Sequence, residues 1–249
     1  MNIAFFIQAR LGSTRLPGKV LLPFDGNSCI LDILIEKINK NFAQVPVYLC
    51  TSTNSGDNEI ESFCLKNKIN FFRGSENNVL QRFTDAALDK NVDVIIRICA
   101  DNPFLDIDFL KELIAYYEQN PNADYWSFKN FDNIPVIKTH FGFFAEIVTT
   151  KALQKVSLLT NDSLYLEHVT NYIYSHKGFD CELKSLPDFL LHRNDLRFTI
   201  DDENDFNELQ SVYQYYKSVN YDLRKTISYV DKNEVILNNM IYNIKKYSK

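Results

Sequence analysis

Four short apolar runs, each leading into a polar loop and then a helical pattern, constrain the fold of this chain most. The runs are 3–7, 45–50, 69–73 and 92–99. Apolar runs of this length read as strands buried on both faces, as in a parallel sheet. Among the segments between them, Ile30, Leu31, Ile33, Leu34 and Ile38 recur at helical spacing, as do Val79, Leu80, Phe83 and Ala87. Repeated strand–helix alternation predicts an α/β fold with a doubly wound, mostly parallel sheet. Further strands are expected at 124–128, 181–186 and 196–200, with a small β-rich elaboration over about 129–160. One helix is expected from Asp162 or Ser163 through His176. The tail over 219–249 reads as helical and polar, with no visible chemistry. The 249 residues are read as a single domain.

In such a fold, ligands bind beyond the carboxyl ends of the strands. The first run leads into Gln8-Ala9-Arg10-Leu11-Gly12-Ser13-Thr14-Arg15-Leu16-Pro17-Gly18-Lys19. Three cations and no acid occupy ten residues of it, in a chain of net charge -5. Fixed cations and backbone N–H groups suit a polyphosphate. Gly12 and Gly18 allow unusual backbone angles and close approach of a ligand. A solvated basic loop is the plain alternative. The string is not a Walker A loop, because Val20 follows Lys19, and it is not G-x-G-x-x-G. Ser28 is expected to cap the helix that follows.

The overall acidic balance argues against a general nucleic-acid footprint. No apolar run reaches the roughly 18 residues of a membrane span, and no basic region precedes an apolar stretch as in a signal peptide. The five cysteines are widely spaced, with no C-x-x-C. Reduced thiols and a cytoplasmic location are therefore expected.

The other strand ends carry polar residues too. Thr51 opens a turn-rich loop through Asn58. The third run ends in Arg73-Gly74-Ser75, with Ser75 an expected helix cap. Arg82, further along that segment, reads either as an ion-pair residue or as a ligand contact. The fourth run ends in Ala100-Asp101-Asn102-Pro103-Phe104-Leu105-Asp106. A carboxylate at the mouth of a central strand is well placed to hold Mg2+ against phosphate oxygens. Asp106 is expected to cap the helix from Ile107. Asp106-Ile107-Asp108 has the letters of a D-x-D metal motif, but at a helix start. Asp201 ends the expected strand at 196–200, ahead of a helix with Phe206, Leu209, Val212 and Tyr213 on its apolar side.

The segment Gln8–Lys19, Q-A-R-L-G-S-T-R-L-P-G-K, resembles the opening signature of the cytidylyltransferases that activate sugar acids. It is closest to the spore-coat polysaccharide biosynthesis branch. The 3-deoxy-manno-octulosonate and acylneuraminate cytidylyltransferases are related to that branch. R-G-S-E-N-N-V-L-Q-R-F at 73–83, R-x-x-A-D-x-P-x-x-D at 97–106, E-H-V-T at 167–170 and R-x-D-L-R-x-T-I-D at 193–201 resemble further family segments. The resemblance covers residues 2 to about 210. It implies a nucleotide-diphospho-sugar transferase-like fold and a Mg2+-dependent nucleotidyltransferase. The expected substrates are CTP and a small anionic acceptor, with pyrophosphate released and a homodimer as the assembly.

The same resemblance assigns Arg10, Arg15 and Lys19 to the phosphates. It places Gln8, Ala9, Gly12, Ser13, Thr51, Arg73 and Ser75 near the rest of the nucleotide. Asp101 and Asp201 would hold the metal, and Asn102, Glu146, Glu167 and His168 would face the acceptor. The sequence departs from the family at Asn77, where an acid is usual, and at Phe143-Phe144-Ala145, where L-D-V is common. Use of another nucleoside triphosphate or a phosphorylated acceptor, a glycosyltransferase, and a non-catalytic nucleotide-binding protein are the alternatives.

Overall fold

The computed structural model describes residues 1–247. Its strands are β1 (Ile3–Gln8), β2 (Pro23–Asp25), β3 (Ser28–Cys29), β4 (Val47–Ser52), β5 (Asn70–Gly74), β6 (Val94–Cys99), β7 (Tyr125–Lys129), β8 (Glu146–Thr149) and β9 (Cys181–Ser185). Its helices are α1 (Ile30–Asn41), α2 (Asn58–Asn67), α3 (Val79–Asp89), α4 (Ile107–Gln119), α5 (Thr150–Leu159), α6 (Ser163–Glu167), α7 (Asn171–Ser175), α8 (Asp188–Leu191), α9 (Glu203–Ser218), α10 (Leu223–Asp231) and α11 (Glu234–Lys246). The main sheet has seven strands in the order β5-β4-β1-β6-β8-β7-β9. Pairing is parallel throughout except where β8 meets β6 and β7. β2 and β3 form a separate small hairpin.

Alternation along the strands feeds two cores. Phe5 and Ile7 of β1, with Val94, Ile96 and Ile98 of β6, pack with α1, α4 and α9. Ala4, Phe6, Ile95 and Val148 pack with α3 and α5 on the other face. This is the doubly wound arrangement that the four apolar runs predict, with period-two alternation deciding which helix layer each side chain meets.

Several local expectations are corrected. α1 is headed by Cys29, whose N–H donates to Asp32 Oδ2 at 2.9 Å, while Ser28 is paired with Asp25 in the hairpin. α3 is capped by Asn78, whose Oδ1 accepts from Gln81 N at 2.8 Å; Ser75 Oγ accepts from Asn78 N at 3.1 Å. The helix expected through His176 breaks into α6 and α7. Thr170, at the break, turns inward and donates to the buried Glu146 at 3.0 Å. Residues 196–200, expected as a strand, form no strand and join no sheet. The 129–160 region contains only β8 as a full strand, after a 3-10 turn at Val136–Lys138. Phe141, Phe143 and Phe144, all at most 7% exposed, make residues 139–145 part of the core. Of the two loop glycines, only Gly18 takes a left-handed φ, +71°.

Candidate active site

From β1 the chain winds outward through β4 to β5, then returns to the other side of β1 as β6. The loops leaving β1 and β6 therefore diverge, opening a crevice at the switch point. Gln8 and Cys99 are register partners at its lip. Residues 9–22 leave one side, and residues 100–106 leave the other. The stretch 196–200 is laid against this lip by Ile200 N donating to Asp101 O at 3.0 Å and Phe198 N donating to His140 O at 2.9 Å.

The consequence is that Asp101 and Asp201, a hundred positions apart, face one ammonium group. Lys19 Nζ lies 3.9 Å from Asp101 Oδ2 and 3.9 Å from Asp201 Oδ1, and it donates to Ile200 O. Arg15 Nη2 donates to Asp201 Oδ1 at 2.6 Å. Burial alone would raise the Asp201 pKa, but Lys19, Arg197 and Arg15 reverse this and hold it below the usual carboxylate value. Oxygen donors from two carboxylates suit a hard divalent cation. No group of three or more His, Cys, Asp or Glu side chains able to hold a metal occurs among the described residues. The pair fits a cation whose remaining ligands are water and phosphate oxygens, which is how Mg2+ is commonly held.

Of the first-loop candidates, Arg15 and Lys19 reach this centre, and the others have neighbours of their own. Ala9 is buried, its N–H bound to Cys50 O at 3.2 Å, so the loop starts from a fixed point. Ser13 Oγ accepts from Leu16 N at 3.4 Å, and Gly18 N donates to Leu11 O at 3.0 Å, so the loop folds back on itself. A Cβ at Gly12 would have Glu76 Oε1 as a neighbour, at 3.9 Å. Arg10 is half-exposed and reaches across to Glu167 Oε1 at 3.1 Å, joining the loop to α6.

Other sequence candidates lie further back. Thr51 is fully buried, its hydroxyl without a partner. Arg73 is engaged within its own neighbourhood, donating to Ser52 O, Asn54 O, Asn58 Oδ1 and Glu61. Ser75 is exposed at the start of the turn before α3. Arg82 makes no ion pair among the described residues. Its Nη1 donates to Ser75 O at 2.9 Å, while Nε and Nη2 are buried and unpaired. Burial pushes its pKa down.

Among the residues expected to face an acceptor, Glu146 is 1% exposed and wholly engaged by Arg97, Tyr125 and Thr170. It thus serves the interior rather than the crevice, and so corrects the expectation that it faces an acceptor. Arg97, its partner across the β6–β8 register, also donates to Gln8 Oε1 at 2.7 Å. Gln8 is thereby oriented by the core. His168 is exposed at the end of α6, beside Glu167. Asn102 instead lines a cleft of about 50 Å³ with Asp101, Thr139, Phe144, Ala145 and Thr199. Asn102 Oδ1 and Thr199 Oγ1 are buried there without hydrogen-bond partners. Asp106 accepts from Asp108 N and Phe109 N at 2.9 Å each, as a helix cap. It is spent on α4, and the D-x-D letters form no metal site.

Three residues were missed by sequence reasoning. Asp57 accepts from Leu11 N at 2.7 Å and from Ser52 Oγ, fastening the first loop to β4. An acid in the polar stretch 51–58 was its faint signal. Arg197, 1% exposed, binds Asp201 Oδ2 at 2.6 Å and Asp205 Oδ2 at 2.8 Å. It stood within the R-x-D-L-R-x-T string, but without an assigned role. Tyr247 stacks under Arg15, its ring centroid 4.4 Å from the guanidinium carbon. Nothing in the local pattern of the tail pointed to it.

The geometry agrees with three comparisons. An uncharacterized protein of Methanocaldococcus jannaschii is 36% identical over 238 residues, covering 96% of this chain and 94% of that protein. The spore coat polysaccharide biosynthesis protein SpsF of Bacillus subtilis is 34% identical over 220 residues, covering 86% and 87%. The structure of a cytidylyltransferase from Leptospira borgpetersenii superposes with a TM-score of 0.80 at 30% identity, covering 96% and 98%. The profile of the cytidylyltransferase family matches residues 4–238. With nearly its whole length accounted for and two acids meeting beside a basic first loop, this chain belongs to the cytidylyltransferase family and is a nucleotidyltransferase.

Proposed function

We propose that the protein transfers CMP from CTP to a sugar acid or a similar anionic small molecule, releasing pyrophosphate, with Mg2+ as cofactor. The observation that carries this reading is the convergence of Asp101 and Asp201 on Lys19, each at 3.9 Å, beside the basic loop. Likeness to a spore coat polysaccharide biosynthesis protein supports a product destined for a surface glycoconjugate.

Asp101 and Asp201 would hold the divalent cation, which when bound would neutralise charge on the phosphate oxygens. Arg10, Arg15 and Lys19 take the phosphate tail and stabilise the negative charge that builds on departing pyrophosphate. In binding it, Arg15 and Lys19 exchange carboxylate partners for phosphate oxygens. An acceptor hydroxyl oxygen attacks the α-phosphorus from the Asn102 side, its proton passing to solvent, and the bond to pyrophosphate breaks opposite it. Asn102 Oδ1 and Thr199 Oγ1, buried and unpaired, would accept hydrogen bonds from acceptor hydroxyls once the cleft around them opens. Chemistry of this kind is chiefly positioning and electrostatics and needs no covalent intermediate.

Pyrophosphate release measured across the four nucleoside triphosphates and a panel of sugar acids and sugar phosphates tests the reading. Release with CTP and a sugar acid is expected. Turnover only with a sugar phosphate, or only with another nucleotide, would replace the acceptor or the base assignment. No release with any pair would overturn the function.

A further inference from the structure

We infer that Tyr247, beyond the segment matched by the family, is a positioning residue that holds Arg15 for the nucleotide phosphates. The inference rests on the nucleotidyl-transfer reading of the site. The Tyr247 ring lies 4.4 Å from the guanidinium carbon of Arg15 and 5.2 Å from that of Arg197. Those two arginines grip the two oxygens of Asp201, Arg15 on Oδ1 and Arg197 on Oδ2. One aromatic ring therefore supports both sides of the Arg15–Asp201–Arg197 clamp.

The ring is itself fixed. Tyr247 OH donates to Asp202 Oδ2 at 2.7 Å, and Asp202 caps α9 through Asp205 N at 2.9 Å. Asn243, one turn earlier, donates to Asp205 Oδ1 at 2.9 Å, and Asp205 in turn holds Arg197 and the Asp201 N–H. The end of α11 is thus tied into the carboxylate network at two points, Tyr247 on Asp202 and Asn243 on Asp205.

Arg15 needs such support. Its side chain is 45% exposed and comes from a loop, while Arg197 is 1% exposed and fully hydrogen-bonded in the interior. An exposed arginine has many rotamers, and ordering it on a ligand costs entropy. A fixed ring face lowers that cost by holding the guanidinium near its working position, through attraction to the ring quadrupole. The ring also remains a seat for the guanidinium when Arg15 turns from Asp201 to phosphate.

The test is a double-mutant cycle on the full chain. Affinity for Mg2+ and CTP is measured by calorimetry, and kcat and KM by pyrophosphate release. Tyr247→Leu is expected to weaken CTP binding and kcat/KM by about two- to fivefold, the scale of an exposed cation–π contact. Tyr247→Phe is expected to keep most of the affinity, because the ring face remains. In an Arg15→Ala background, the loss on Tyr247→Leu should shrink, leaving only what the ring does through Arg197. Thermal unfolding of each variant reports whether the tail still packs. Equal losses in the Leu and Phe variants, an undiminished loss without Arg15, or no loss at all would overturn the inference while leaving the function standing. A wild-type protein that neither binds CTP nor releases pyrophosphate would overturn the function, and the inference with it.

Discussion

Asp201 is held on both oxygens by guanidinium groups, and this sets its behaviour with pH. A carboxyl with a lowered pKa in the folded state adds stability above the unfolded value of about 3.9, and loses it as pH falls through the folded value. The stability gap between wild type and Asp201→Asn, read from urea midpoints, is therefore expected to narrow as pH drops below about 4. An unchanged gap would mean that the ion pairs are absent in solution. Asp101 is less enclosed, its side chain 31% exposed, and its loss should spare the fold. Asp101→Asn is expected to abolish pyrophosphate release while leaving the unfolding temperature within a few degrees of wild type. Asp106 is the contrasting acid: it sits five residues on, buried as a cap, and has no part in that prediction. The sequence reading of Asp106 as a cap agrees with its hydrogen bonds, because a cap depends only on the helix that follows it.

At the scale of elements, two segments outside regular structure place the chemistry. Gly142, φ +68°, lets residues 139–145 pass over residues 196–200; a Cβ there would meet Phe198 O at 2.6 Å. Both the left-handed angle and backbone contact forbid a side chain, so Gly142→Ala should destabilise by about 1–3 kcal/mol. It should also lower activity by shifting Asp201, and a denaturation curve with kinetics at permissive temperature checks both. Lys37 links α1 to the loop that carries Asp101. Its ammonium donates to Pro103 O at 3.0 Å and Leu105 O at 3.3 Å, within 5.5 Å of the Tyr213, Tyr216 and Tyr221 rings. Burial pushes its pKa down to about 7, against the pull of Asp106. Between that value and the unfolded value of about 10.4, the unfolded chain binds more protons, so stability should rise with pH. Lys37→Met is expected to remove that rise, as measured by unfolding free energy between pH 7 and about 10. Helical spacing in the sequence placed α1, but it could not show that a lysine on α1 would reach into an aromatic cage.

For the molecule as a whole, the sheet is joined across its change of direction by the buried pair Arg97–Glu146. Glu146→Ala leaves a buried guanidinium short of a partner and should cost about 3–5 kcal/mol, as breaking a buried pair does. The loss would appear as lower stability before any change in acceptor KM, which separates an interior role from a substrate contact. The chain also carries a local cluster of cations on an acidic background of net charge -5. Nucleotide affinity is therefore expected to fall as salt is raised from 0.05 to about 0.5 M, since exposed attraction is screened over a few ångströms. Affinity independent of salt would argue that Arg10 and Arg15 contribute little.

Local pattern determined much of this protein. Apolar runs and helical spacing specify strands and helices, and four repeats of that order leave the doubly wound sheet as their natural packing. The basic string after the first strand drew attention to the loop beside the crevice, because its cations and glycines lie together in the chain. Cap choices at Cys29 and Asn78, the break at Thr170 and the unpaired state of residues 196–200 depended on what each segment packs against. The meeting of Asp101 with Asp201, the burial of Glu146 and the seat of Arg15 on Tyr247 belong to tertiary structure alone. Such contacts join residues far apart in sequence, whose approach is set by the summed packing of every element between them and leaves no periodic trace in the chain.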